Sequence, residues 1–309
     1  MDIRHVDGEA DVEAFLAIRE AVDPEHPMTR ESFDDAQTVA GRLDLLALVD
    51  GDAAGCAFVE RQYGDPASTT GYMSLRVLAG YRRRGVGSEL LRHVSDHVRD
   101  FGGQSLYAAT RSEATDQLAF LAHHGLVEVA RMEDVELDLD DYDAASETPA
   151  NVAIVPLSPE LEADVYTVAL EADADVPAAT PISTGPLERW RERNLGPLAL
   201  REQSFAAVTG SEVVGYAILG RCIPGVGEHW MTGVRRDWRG RGVATALKRA
   251  QITAAQEAGL RRLRTQNDLA NSAMRRVNEK LGYLPRLTWI HLGGPVPEGR
   301  PEVSSLQVR

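Results

Sequence analysis

Apolar residues in this chain follow two rhythms, one of period two and one near 3.6, in an order that recurs twice. Short apolar runs at Ile3–Val6 and Val152–Leu157 predict strands. Each precedes an amphipathic segment, Glu9–Ala21 or Pro159–Ala172, that predicts a helix. After a stretch without fixed pattern, each half has two apolar runs joined by Asp50-Gly51 or Thr209-Gly210, which predicts a hairpin. A third strand leads to a long helix in each half. Val86, Leu90, Val94 and Val98 mark the buried stripe of the first, and Val243, Leu247, Ala250 and Ala254 that of the second. A strand (Ser105–Ala109; Arg262–Thr265), a helix (Glu113–His123; Asn271–Leu281) and a final strand close each half.

Strands that alternate with helices only in the second part of each half predict a mixed, mainly antiparallel sheet flanked by helices, of α+β type. The halves are copies. Val77-Leu-Ala-Gly-Tyr-Arg82-Arg-Arg-Gly85-Val-Gly87 aligns with Val234-Arg-Arg-Asp-Trp-Arg239-Gly-Arg-Gly242-Val-Ala244, 157 positions later. The same offset links Gly125-Leu126 to Gly282-Tyr283, and Val49–Gly55 resembles Val208–Gly215 with one residue inserted. So long a period means a duplicated domain, not a solenoid. Between the copies, acidic residues with Ala, Ser and Pro read as a linker between Tyr142 and Ala150. The expected domains are 1–143 and 151–309, with a Pro/Gly-rich tail after Leu292 that predicts poor order.

The aligned Arg/Gly segments carry the first chemistry. A strand that runs through Arg-x-x-Gly-x-Gly/Ala into a helix offers free helical N–H groups to an anion. Glycine lets a phosphate approach the backbone, and Arg adds a charged fork. Two copies in the same context argue against a plain tight turn. The segments lack the Gly-Lys-Ser/Thr of a nucleotide loop, and no Gly-x-Gly-x-x-Gly follows the first strand of either half.

On these residues both halves resemble the GNAT superfamily of N-acetyltransferases, whose motif Val-x-Pro-x-x-Arg-x-x-Gly-x-Gly/Ala binds the pyrophosphate of acetyl-CoA. Arg82, Gly85 and Gly87 match in the first half and Arg239, Gly242 and Ala244 in the second; the resemblance implies that Val86, Gly240, Arg241 and Val243, within the same segments, also hold the cofactor. The Pro position holds Ala79 in one and Arg236 in the other. Thr232-Gly233-Val234, Thr265-x-Asn267, Asn271, Met274, Asn278 and Leu281-Gly282-Tyr283 look like a bacterial tandem subgroup, with mycothiol synthase a more distant relative. The resemblance implies two tandem GNAT-like domains and acetyl-CoA as co-substrate. It also implies a splayed fourth strand whose Thr232, Gly233 and Val234 hold the pantetheine arm, with Asn271 near it.

Acetyl transfer to an amine needs the neutral amine, which at pH 7 costs roughly 4.6 kcal/mol from a pKa near 10.4. Glu228, six residues before Val234, is the general base that the resemblance implies; His229 is a second candidate. The same offset in the first half gives Gly71, beside Thr69 and Thr70, so catalysis is assigned to the second half and the first reads as a degenerate copy. The family's usual acid, a Tyr, is replaced by Asn278, and by Leu121 in the first half. Asn278 can donate to the sulfur, and Tyr283 is a possible substitute acid. A thiolate leaves only about 2 kcal/mol uphill at pH 7, so losing the acid costs less than losing the base. Glu171, Asp173, Asp175 and Trp190 suit a cationic amine.

Composition changes this picture little. The net charge of −14 disfavours nucleic acid as a partner. Cys56 and Cys222 make neither a disulfide framework nor a metal site, and no metal is expected. The acidic N-terminus and the lack of a long apolar run predict a cytoplasmic protein without a membrane partner. Acetyl-CoA and a small-molecule amine are the expected partners, and the oligomer, monomer or homodimer, stays open. Two rivals remain: a protein that binds or senses acyl-CoA without turnover, and a protein or peptide N-acetyltransferase.

Overall fold

The computed structural model describes residues 1–140, 142, 149–177 and 184–298. Most of the acidic linker and the end of the Pro/Gly-rich tail lie outside the described residues. The chain divides into two compact units. Of the described residues, unit 1 holds Met1–Val129 and His291–Glu298, and unit 2 holds those between Ala130 and Ile290.

Unit 1 opens with β1 (Asp2–His5), α1 (Glu9–Val22), α2 (Arg30–Ala36), β2 (Leu43–Val49), β3 (Asp52–Arg61) and β4 (Thr70–Val77). It continues with α3 (Val86–Asp100), β5 (Ser105–Arg111) and α4 (Thr115–His123). β1, β2, β3 and β4 are antiparallel neighbours, and β4 pairs with β5 in parallel. At the β2–β3 turn Asp50 and Gly51 both have positive φ, 55° and 92°, as a two-residue hairpin requires. α1 buries Val12, Phe15 and Ile18 in one cluster with Leu46, Cys56 and Phe58. α3 buries Val86, Leu90, Val94 and Val98, the stripe expected from the sequence.

Unit 2 begins within β6 (Val127–Asp138) and continues with β7 (Ala153–Pro156), α5 (Glu162–Asp173), α6 (Leu187–Leu195), β8 (Phe205–Thr209) and β9 (Glu212–Ile223). β10 (Val226–Val234), α7 (Val243–Glu257), β11 (Arg262–Asp268) and α8 (Ser272–Lys280) follow. The strand order is β6-β11-β10-β9-β8-β7, antiparallel throughout except for β10 with β11. This is the mixed, mainly antiparallel α+β sheet expected for each half. β8 and β9 turn through Gly210-Ser211, one residue later than the sequence suggested.

Two departures matter for function. The buried face of α7 runs through Val243, Ala246, Leu247, Ile252 and Ala255, while Ala250 and Ala254 are only half-buried. Lys248 and Gln251 share that buried face, so charge and amide sit where an apolar stripe was expected. In β10 the register passes from His229↔Leu219 to Met231↔Ile218, which leaves Trp230 as a bulged extra residue. Its indole lies on Gly220, where a Cβ would come within 1.8 Å of the ring; only glycine fits.

The final strand, β12 (Leu284–Pro295), crosses from unit 2 into unit 1, where its end lies beside β5. There the Tyr107 hydroxyl lies 2.7 Å from His291 Nδ1, and Val296 N–H donates to Gln104. The Gly293-Gly294-Pro295 start of the expected loose tail is thus a strand. Conversely, Met132–Asp138 of the first repeat pair with β11 in unit 2. A chain ending at Ile290 is therefore expected to leave β5 unpaired on one side. Hydrogen exchange of Ser105–Arg111 should rise by at least tenfold; unchanged protection would contradict this pairing.

Candidate active site

In both units the parallel pair stops early. β4 pairs with β5 from Thr70↔Ser105 to Met73↔Ala108, and β10 with β11 from Val226↔Arg262 to Glu228↔Arg264. Each first strand then runs on, to Val77 or Val234, with only its antiparallel neighbour. A wedge opens between the parting strands, bounded by backbone groups that need partners.

At the wide end of each wedge stands the Arg/Gly loop. Gly85 and Gly242 take left-handed conformations, φ 84° and 85°, as the N-caps of α3 and α7, and neither helix has a side-chain cap. Their first N–H groups are left for an anion. Arg82 Nε and Arg239 Nε fold back onto the carbonyls of Val77 and Val234, at 3.2 and 3.0 Å, so the copies match in detail. Arg83 has φ 60°, where unit 2 has Gly240. Arg241 stacks over Trp238 at 4.8 Å.

At the narrow end of the unit 2 wedge lies a buried polar cluster. His229 Nδ1 faces Gln251 Oε1 at 2.8 Å, and His229 Nε2 lies 2.5 Å from the Tyr283 hydroxyl. With the amide oxygen toward Nδ1, His229 donates there and Tyr283 donates to Nε2. Burial and the nearby Lys248 hold the imidazole pKa well below its usual value, so the ring is neutral. Lys248 is 1% exposed, donates to Asn278 Oδ1 at 2.9 Å, and lies 5.1 Å from the Tyr283 ring centroid. Burial brings its ammonium down to about 7. Among the described residues, Asn278 Nδ2 and Gln251 Nε2 of this cluster, and Asn267 Nδ2 and Thr232 Oγ1 on β11 and β10 past the end of their pairing, are buried without hydrogen-bond partners. Buried donors left unsatisfied are costly, and these lie on β10, β11, α7 and α8, the elements that border the wedge.

Glu228 occupies the other face of β10, half-buried, since His229 points to α7. It is the last paired residue before the wedge and sits directly beside Arg264. Arg264 in turn donates to Glu136 at 2.6 Å. The carboxylate at the apex thus stands in a charged row, not in an apolar pocket.

The profile of the Acetyltransferase (GNAT) family matches residues 12–126 and 169–283, one match in each repeat. The chain belongs to the GNAT family, as a tandem N-acetyltransferase. Mycothiol acetyltransferase of Thermobispora bispora is 25% identical over 301 residues, covering 92% of this chain and 95% of that protein. That of Cellulomonas flavigena is 25% identical over 252 residues, 79% and 72% of the two chains. A GCN5-related N-acetyltransferase from Sphaerobacter thermophilus superposes with TM-score 0.80 at 21% identity, covering 96% of each chain. A tandem GNAT protein from the clavulanic acid biosynthesis pathway gives 0.76 at 21% identity, over 96% of this chain and all of that one.

Within this GNAT chain the two wedges differ in lining. The 157-residue offset places Leu91, Val94, Leu121 and Leu126 where unit 2 has Lys248, Gln251, Asn278 and Tyr283, and all four are buried. Strand register places Met73 at His229 and Tyr72 at Glu228. The sequence offset named Gly71 instead, because the Trp230 bulge shifts that count by one. Unit 1 keeps an open cleft of about 620 Å³ between Ser74–Val77, Ala108–Thr110 and α4, reaching the Arg82–Gly87 loop.

Other expected residues have structural duties. Asn271 caps α8, its Oδ1 accepting from Met274 N–H at 3.2 Å. Gly233 clears the Tyr216 ring, which a Cβ would meet at 2.5 Å. The suggested amine-binding carboxylates are already engaged: Asp173 with Thr184, Glu171 with the Arg236 N–H, and Asp175 with Arg236 and Arg239 at 2.7 and 2.8 Å. Trp190 is core, stacked edge-on against Tyr166 and Tyr216. Lys248 and Gln251 were missed by sequence reading; the signal was a Lys on the apolar stripe of α7, in a chain with only two Lys.

Lys248 gives the site a stability signature. Its pKa falls from 10.5 unfolded to about 7 folded, so between these values only the unfolded chain binds the proton. The burial cost is full below pH 7 and is relieved as pH rises toward 10.5. Lys248→Met is expected to stabilise the protein by on the order of a few kcal/mol at pH 6 and to flatten stability between pH 7 and 10. A variant that parallels wild type from pH 6 to 10 would show that Lys248 is not titrating in this window.

Proposed function

We propose that unit 2 transfers the acetyl group of acetyl-CoA to a primary amine of a small molecule, by direct attack within a ternary complex. The observation that carries this reading is the set of unpartnered donors Thr232, Asn267 and Asn278, gathered where β10 and β11 part above an uncapped helix. These residues fit acetyl-CoA: the α7 N-terminus suits its phosphates, and the lone donors suit its amide and thioester oxygens and sulfur.

Glu228 is the base. It stands at the apex, and its carboxylate takes a proton from the incoming ammonium, directly or through water, so that the amine nitrogen can bond the acetyl carbon. As the C–S bond breaks, the sulfur leaves with the electron pair as a thiolate to which Asn278 Nδ2 donates a hydrogen bond, and the surplus proton on the new amide nitrogen passes to that thiolate or to solvent. Lys248 holds Asn278 by its Oδ1 and, as ammonium, supplies the positive charge behind it. Proximity of the two reactants contributes much of the acceleration. Tyr283 donates its hydrogen bond to His229, so in this reading it orders the cluster and is not the acid.

The similarity to mycothiol acetyltransferases, which covers most of both chains, supports a small-molecule amine over a protein substrate. Asp175, paired with Arg239, competes with the phosphates for that guanidinium. Free thiol release from acetyl-CoA with a panel of small amines tests the reading. Glu228→Gln is expected to lower kcat at pH 7 by about 10²–10⁴, with partial recovery as the amine deprotonates at higher pH. A kcat within a fewfold of wild type at pH 7 would remove Glu228 from the role of base.

A further inference from the structure

Ser74 and Arg76 line the unit 1 cleft, and behind Ser74 lies a buried guanidinium that makes no ion pair with a carboxylate among the described residues. Arg19, on the last turn of α1, is only 9% exposed. Its Nη1 donates to Ser74 Oγ at 3.0 Å, and its guanidinium lies 5.2 Å from the Phe58 ring centroid and 5.9 Å from that of Phe15. Nε is buried and has no partner. Burial, and then repulsion from Arg76, lowers its pKa.

The carboxylates nearby are spent on other cations. Arg42, over the opposite side of the same cluster at 4.0 Å from the Phe58 centroid, takes Asp44 at 2.7 Å and Glu60 at 2.6 Å. Asp23 faces Arg76 and His26, each at 3.6 Å. Cys56 stays a thiol, pushed up to about 12 by burial. Ser74 and Arg76 line the open space, with Arg19 behind Ser74 and Asp23 behind Arg76. A cation buried without an anion is a standing cost that a bound anion relieves.

We propose that the inner end of the unit 1 cleft binds a carboxylate, received by Arg76 and Ser74, with the charge of Arg19 held behind Ser74. The planar fork of arginine matches a carboxylate. The wall of Met73, Ala108 and Leu121 is apolar and suits a short carbon chain. The Arg82–Gly85 loop lies on the same cleft, so the carboxylate can belong to a free acid or to the far end of an acyl thioester. The site is independent of the chemistry assigned to unit 2. It makes unit 1 a binding module with its own ligand.

Calorimetric titration of the full chain distinguishes these sources. The probes are propionate with its neutral analogue propionamide, and succinyl-CoA with acetyl-CoA. A free-acid site binds propionate at least tenfold tighter than propionamide. A thioester site instead binds succinyl-CoA at least tenfold tighter than acetyl-CoA. Either preference should disappear in Arg19→Met and survive in Arg239→Ala. Ser74→Ala, which keeps the charge, should weaken it severalfold and serves if Arg19→Met fails to fold. No preference in either pair, or a preference that persists in Arg19→Met and in Ser74→Ala, would overturn the proposal.

Discussion

The structure depends on two parallel strands that pair for a few residues and then part. Backbone N–H and C=O groups are strong hydrogen-bonding groups, and strands that separate inside a domain leave them without partners. Everything near β10 and β11 answers to that constraint. The strands part at Glu228, the sheet supplies no further partner, and the side chains that look into the gap bring donors of their own. The glycine turn and uncapped helix at the wide end add more N–H groups of the same kind. Such a gap holds its shape by antiparallel pairing to β9 outside it and by the packed cores on both faces of the sheet.

Duplication gives the same backbone twice and so acts as an internal control on side chains. Loop geometry is preserved between the copies, down to the arginine that returns to a strand carbonyl. The narrow ends have diverged. Unit 1 packs leucine, valine and methionine where unit 2 buries a lysine, a histidine, a glutamine, an asparagine and a tyrosine hydroxyl. An apolar lining at that position is the cheaper one to fold. A buried polar network persists only when fully satisfied or when it serves another end, and in unit 2 it is not fully satisfied.

Much of this was legible in the sequence, for physical reasons. The repeat, the mixed sheet and the Arg/Gly loops rest on periodicity, glycine and charge, which act locally. The place of Glu228 near the end of its strand was legible from its spacing to Val234, while the role proposed for it rests on the family resemblance. The missed features depend on non-local packing. The bulge at Trp230 needs Gly220 across the hairpin, and no local pattern announces a one-residue slip. Lys248 stayed hidden because an amphipathic stripe is read by its apolar members. The carboxylates at Glu171, Asp173 and Asp175 looked available until the fold placed Arg236, Arg239 and Thr184 against them. The pairing of β6 with β11, across the repeat boundary, is likewise invisible to a search for linear repeats.

The central claim is that the parting of β10 and β11 is the acetyl-CoA site. Hydrogen exchange of the full chain with and without saturating CoA tests it without any acceptor. The account predicts slowed exchange at Thr232–Val234 and at the first turn of α7, Val243–Thr245, where free N–H groups meet the ligand. Exchange unchanged in both segments at saturating CoA would contradict it.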